Sequence, residues 1–183
     1  MAFRPGIHVA APAVLVVAGL LVGGCGPREN PLSPRTTVEA DVEGVHFTIE
    51  FGAPSKRDRE IWGALVPWGE RWMPGADTAT SITTSAAISF GDLVMPAGSY
   101  SIYTLPDAGD FVFIINQQTG QDHLDYDQSQ DYARLLADLT MLGESVEQLA
   151  FAVEAHPDGG GDIKLIWDDR EYAVPFTVPP PGE

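Results

Sequence analysis

Arg59, Trp72, Asp77, Thr80 and Asn116 are the residues of this chain whose types could work together on a ligand. A guanidinium is a planar fork for a carboxylate or phosphate, and an indole offers a flat apolar face. A carboxylate, a hydroxyl and an amide add directional hydrogen bonds. Asp77 and Thr80 follow a Pro74-Gly75 turn, where short polar side chains ordinarily bond nearby backbone amides. Arg59 can equally satisfy loop carbonyls or pair with Asp77. Because loops on a β scaffold also carry function, two expectations stand: a binding set, or a well-satisfied loop.

Other constellations carry less. Trp62, Trp68 and Trp72 with Tyr100 and Tyr103 would make a stacking platform if their faces were exposed, but aromatics of this size more commonly fill a core. Asp125, Asp127, Ser129 and Asp131 alternate like the first ligands of a calcium loop. Gln130 stands where that loop needs glycine and Leu136 where it needs a bidentate glutamate, so a solvated acidic loop is expected. His46, His123 and His156 have no ligand spacing for zinc. No G-x-S-x-G elbow is present to activate a serine, and Ser99 has no histidine beside it in the sequence pattern. No metal and no cofactor is expected.

The chain has 183 residues and a formal net charge of −16. That balance argues against nucleic acid, whose phosphates need Lys and Arg, and against electrostatic adhesion to anionic lipid. Val9 to Val22 is almost wholly apolar and ends at Leu21-Val22-Gly23-Gly24-Cys25. The run is short for a membrane span and has the proportions of a signal peptide. Cys25, the single cysteine, stands directly after small residues, as in the lipobox of bacterial lipoproteins. The expected organisation is a signal peptide over 1–24, a lipidated Cys25 with a Pro-rich tether over 25–36, one β domain over 37–178 and a frayed tail over 179–183. The expected address is the cell envelope through a lipid anchor. Gly26 after the cysteine, rather than Asp, points to the periplasmic face of the outer membrane in a two-membrane cell.

The elements that must position the candidate residues are strands. Val45, Phe47, Ile49 and Phe51 alternate with His46, Thr48 and Glu50, the period of a half-buried strand. Further short β-type runs (Thr37–Val42, Thr80–Thr84, Ala87–Phe90, Leu93–Met95, Ser99–Leu105, Phe111–Asn116, Gln148–Glu154, Asp162–Trp167 and Glu171–Val178) are separated by Gly, Pro and Asp turns. That spacing predicts an all-β, antiparallel two-sheet sandwich or flattened barrel of about eight to ten strands. Tyr132, Leu135, Leu136, Leu139 and Leu142 fall at helical spacing, so local reasoning predicts one short helix over Asp131–Leu142, capped by Asp131.

The quoted residues resemble a known family. FGAPSKRDREIWG, WMPGADTAT, AGSYSIYTLP, FVFIIN, YD and KLIWDD with VPF are similar, in combination, to the bacterial domain of unknown function 2911. The resemblance spans roughly Ser33 to Val178 and matches at Arg59, Trp72, Gly75, Thr80, Asn116, Tyr126, Asp127 and Trp167. It implies an exported lipoprotein and carries no established activity. It also implies a strand, against the local helix, over the Asp131 segment. The chain departs from the family pattern at Met73, usually Arg; Asp77, usually Asn; Thr78, usually Glu; and Ala53, usually Arg.

Two functional expectations follow. The first is a non-catalytic binding or structural module of the envelope, partnered by a small ligand or an envelope protein. The second is an envelope hydrolase with a polar site around Arg59, Asp77 and Asn116. A solvent-open cavity lined by all three would favour the second, and internal satisfaction of the loop would favour the first.

Overall fold

The computed structural model describes residues 33–180. The signal peptide, Cys25 and most of the tether lie outside the described residues, as does the end of the tail. Ten strands run in order: β1 (Arg35–Val42), β2 (Val45–Gly52), β3 (Ser81–Thr84), β4 (Ile88–Phe90), β5 (Leu93–Met95), β6 (Gly98–Pro106), β7 (Phe111–Asn116), β8 (Asp131–Leu136), β9 (Asp138–Ala155) and β10 (Gly161–Phe176). Six of them form one antiparallel sheet in the order β1-β2-β3-β6-β7-β8, while β9–β10 and β4–β5 form two-stranded sheets. Among the described residues no sheet closes on itself, so the layered all-β arrangement stands and the flattened barrel does not.

Alternation sets the two faces of the large sheet. Phe47, Ile49 and Phe51 on β2, Ile102 on β6, and Phe111, Phe113 and Ile115 on β7 point inward and are almost fully buried. The β9–β10 hairpin crosses this face and packs its own apolar side onto it. Phe47 meets Phe176 at 4.9 Å between ring centroids, Phe51 meets Phe151 at 5.0 Å, and Phe111 stacks on Tyr172 at 3.8 Å. Large aromatics at the crossing points each bury a large apolar area where the layers meet.

The hairpin is irregular where it matters. Ile166 to Asp168 on β10 pairs with Ala150 to Val146 on β9, and Asp168 to Arg170 pairs with Val146 to Met141, so β9 bulges twice. Asp168 itself sits in the left-handed region at φ 52°. Bulges bend a strand and re-aim its side chains, and here they lie immediately beside Trp167.

The Asp131–Leu142 segment is a pair of strands. Ala133, Leu135 and Ala137 face the core at strand period, while Leu136, Leu139 and Met141 are exposed. The helical spacing of the leucines was fortuitous, because pairing of β8 with the otherwise open edge of β7 overrides local helix propensity. A 3-10 turn at Gln128–Gln130 is the one helical element among the described residues.

Candidate functional site

The chain between β2 and β3 makes a long excursion over residues 53–80 and builds the site. Its return limb takes the place of β3 along the edge of β6. The amide of Trp72 donates to the Thr104 carbonyl at 2.8 Å, the Thr104 amide returns the bond at 2.7 Å, and the Ile102 amide donates to the Thr80 carbonyl at 2.8 Å. Extended backbone at Trp72 and Met73 sends the first side chain to the core side and the second to the outer face of the sheet. Two glycines permit the close docking. A Cβ on Gly52 would stand 2.6 Å from the Ala76 carbonyl oxygen, and one on Gly75 (φ 146°) would stand 2.6 Å from Thr80 Oγ1.

A cleft of about 240 Å³ opens between this excursion and β10. Trp72 and Trp167 form one wall, with ring centroids 6.0 Å apart and planes 12° from parallel. Leu65 and Pro54 add apolar surface, Gly75 leaves bare backbone, and Arg57 and Arg59 supply positive charge. Ser33 completes the lining, which holds no carboxylate and no histidine among the described residues.

Arg59 is held by its own loop. Its Nε–H donates to the Lys56 carbonyl at 2.9 Å and its Nη2–H to the Ser55 carbonyl at 2.6 Å. Among the described residues no carboxylate lies within 4.0 Å of it. The loop is in turn latched to the hairpin by an ion pair between Lys56 Nζ and Asp168 Oδ1, to which Ser145 Oγ also donates at 2.7 Å. Burial pushes the Asp168 carboxyl up, but the hydrogen bonds from Lys56 and Ser145 outweigh it and hold the group below the usual carboxylate range. The same bond raises the Lys56 ammonium. Trp167 is fully buried, and its Nε1–H donates to the Glu147 carbonyl at 3.2 Å.

The other sequence candidates sit elsewhere. Asn116 is fully buried on the opposite, outer face of the large sheet, directly across from Ser101. Its Nδ2 donates to the Asp127 carbonyl and to Asp131 Oδ1, both at 2.9 Å, and its Oδ1 accepts from the Gln118 amide at 2.9 Å. Asp131 also accepts from the Tyr126 hydroxyl and from Arg134. Burial, then the bond to Asp131, pushes the Tyr126 phenol up to about 12. Arg71 lies over this network, its guanidinium carbon 4.3 Å from the Tyr126 ring centroid and 5.3 Å from that of Tyr103. The face that Met73 occupies therefore carries a guanidinium from two residues earlier.

Thr80 is fully buried, and its hydroxyl donates to the Pro74 carbonyl to close the turn. Asp77 is exposed in the left-handed region (φ 67°), and its carbonyl accepts from the amide and Nδ1 of His123 at 3.2 and 2.7 Å. Thus Arg59 and Trp72 meet in the cleft, while Asp77, Thr80 and Asn116 do not line it.

Trp62, Tyr100 and Tyr103 are core residues, so the five aromatics form no common platform. Asp127 caps the 3-10 turn through Ser129, and Asp131 is spent on the outer network. Sequence reading missed Arg57, Leu65 and Trp167 as cleft residues. They are brought in by the excursion and by the bulged hairpin, whose meeting is a tertiary event. Trp167 did carry a signal, as a tryptophan directly before two acids in a strand that otherwise alternates simply.

A family model described as a protein of unknown function, DUF2911, matches residues 33–176. No curated protein and no solved structure matches the chain. The match covers both limbs of the cleft and the outer network, and the chain belongs to the DUF2911 family.

Proposed function

We propose that this chain is a lipid-anchored module of the cell envelope that binds a small ligand in the cleft and performs no catalysis. One observation carries the reading: Arg59, held by two backbone carbonyls and without a carboxylate partner among the described residues, lines a cleft walled by two stacked indoles. Such a pre-positioned charge beside apolar surface is what a small-molecule site requires, because the cost of ordering it falls on folding and not on binding. Hydrolysis is the weaker reading. It needs a general acid, base or activated nucleophile at the bound ligand, and the cleft offers arginines and the Ser33 hydroxyl. The Arg59, Asp77 and Asn116 set is divided between the two sides of the sheet.

Anchoring rests on the sequence at Cys25. Ser33 lies eight residues further on and lines the cleft. Eight extended residues span at most about 28 Å, so an anchored chain holds its cleft close to the membrane surface.

Two experiments test the reading. Metabolic labelling with a fatty acid should mark the wild type and leave Cys25→Ser unlabelled; equal labelling of both would overturn the anchor. A thermal-shift screen of small metabolites against the full chain should give hits that Arg59→Gln loses. An absence of hits, or hits indifferent to Arg59→Gln, would overturn the cleft as a binding site.

A further inference from the structure

We infer that the ligand is a small aromatic oxyanion, a single ring bearing a carboxylate or phosphate, with the anionic group on Arg59 and the ring against Trp72. This inference rests on the cleft being the binding site and adds its chemical class. Three observations carry it.

The first is the state of Arg59. Nε and Nη2 each give a hydrogen to a loop carbonyl, which fixes the plane of the guanidinium. Its remaining donors have no acceptor among the described residues. A guanidinium fixed in this way presents its free N–H groups in a planar array that matches the paired oxygens of a carboxylate or phosphate. The chain has 26 acidic residues against 10 basic ones. Among the described residues, an arginine with no carboxylate beside it, in a cleft whose described lining contains none, leaves room for an anion from outside.

The second is the wall. Trp72 is half-buried and lies almost parallel to Trp167, which is fully buried and pinned through its Nε1–H. The deeper indole sets the plane of the outer one, so Trp72 is a rigid flat surface. Flat rings gain more from such a surface than branched aliphatic groups of equal size, through offset stacking beyond simple area burial. Leu65, exposed at the rim, closes the apolar side.

The third is size. A cleft of about 240 Å³ is smaller than the roughly 300–1,000 Å³ of sites for drug-sized molecules. It accommodates one ring and one head group. The Lys56–Asp168 latch and the Ser55–Gln148 bridge hold that width, because they join the arginine loop to the hairpin that carries Trp167.

Isothermal titration of the full chain with benzoate, phenyl phosphate, acetate, inorganic phosphate and benzyl alcohol tests the inference. Benzoate or phenyl phosphate should bind saturably and at least tenfold more tightly than acetate, inorganic phosphate or benzyl alcohol. Whichever of the two binds more tightly identifies the head group. Arg59→Gln should weaken that binding at least tenfold. Trp72→Leu, which keeps apolar bulk and loses the ring, should weaken it severalfold and leave acetate unchanged. Equal affinity for benzoate and acetate would overturn the ring, and equal affinity for benzoate and benzyl alcohol would overturn the anion. If no aromatic acid binds while a non-planar or neutral screening hit is lost in Arg59→Gln, the chemical class falls and the site stands. If neither binds, both fall.

Discussion

Trp72 and Trp167 stack across the join between the two halves of the molecule, one from the 53–80 excursion and one from β10, with centroids 6.0 Å apart. The excursion also bridges β9 at Ser55–Gln148, is latched by Lys56–Asp168 and packs Trp62 on Tyr172, so this contact is one of several that hold it to the hairpin. Trp72→Ala should cost about 2–3 kcal/mol. That is below the roughly 3–5 kcal/mol for a fully buried aromatic, because Trp72 keeps part of its surface in water. Urea denaturation of the variant checks the figure.

Asp77→Asn should change stability by less than about 0.5 kcal/mol, the range for surface substitutions away from special features. The side chain is exposed, the left-handed backbone suits Asn as well as Asp, and no ion pair to Arg59 is broken. A double-mutant cycle with Arg59→Gln should give a coupling near zero.

Asn116→Asp should be severely destabilising, by about 3 kcal/mol or more, the scale of a buried charge left without compensation. Nδ2 serves both the Asp127 carbonyl and the Asp131 carboxylate. A carboxylate in its place faces one acceptor and one like charge, in a site without solvent. Chemical denaturation at pH 7 and at pH 4 checks this, since protonation at the lower pH should restore part of the loss.

Much of the fold could be read from the chain. The alternation of Val45 to Phe51 and the Gly-Pro-Asp turns gave the strands of the large sheet. The Asp131–Leu142 segment was misread because its leucines match helical spacing, while the signal that governs it is Ala133-Leu135-Ala137 at period two. Small residues carry little weight in a hydrophobic pattern, although here they are the ones that face the core. The site was legible in part. Arg59 and Trp72 stood out by type, but the sheet lies between them and Asn116, and a face is decided by register.

The alkaline limb of stability should depend on Tyr126. Its phenol is raised to about 12 in the folded chain, from an ordinary value of 10.0. An acid whose folded pKa is raised contributes stability that is intact below the unfolded value and lost as pH rises to the folded one. The loss from this group therefore falls between pH 10 and about 12. The difference in phenolate absorbance between the wild type and Tyr126→Phe should centre near the upper end of that window. A centre near 10 would contradict both the burial of the phenol and its hydrogen bond to Asp131.

The acidic limb should depend on Asp168, whose folded pKa is lowered from 3.8. The sign is opposite to that of Tyr126. The stability it contributes is present above the unfolded value and disappears as pH falls through the folded one. Asp168→Asn should destabilise the chain at pH 7, and the gap to the wild type should narrow as pH falls below about 4. Denaturation midpoints across that range check it.

Ligand-induced shifts in nitrogen-edited NMR spectra of the full chain test the cleft most directly. During titration with benzoate, the indole N–H signals of Trp72 and Trp167 and the Nε–H of Arg59 should move together along one saturating curve. Those of Trp62 and Trp68 and the side-chain amide of Asn116 should stay in place. Shifts centred on Asn116 and Tyr126, or an Arg59 signal that never moves, would contradict the assignment of the binding site to this cleft.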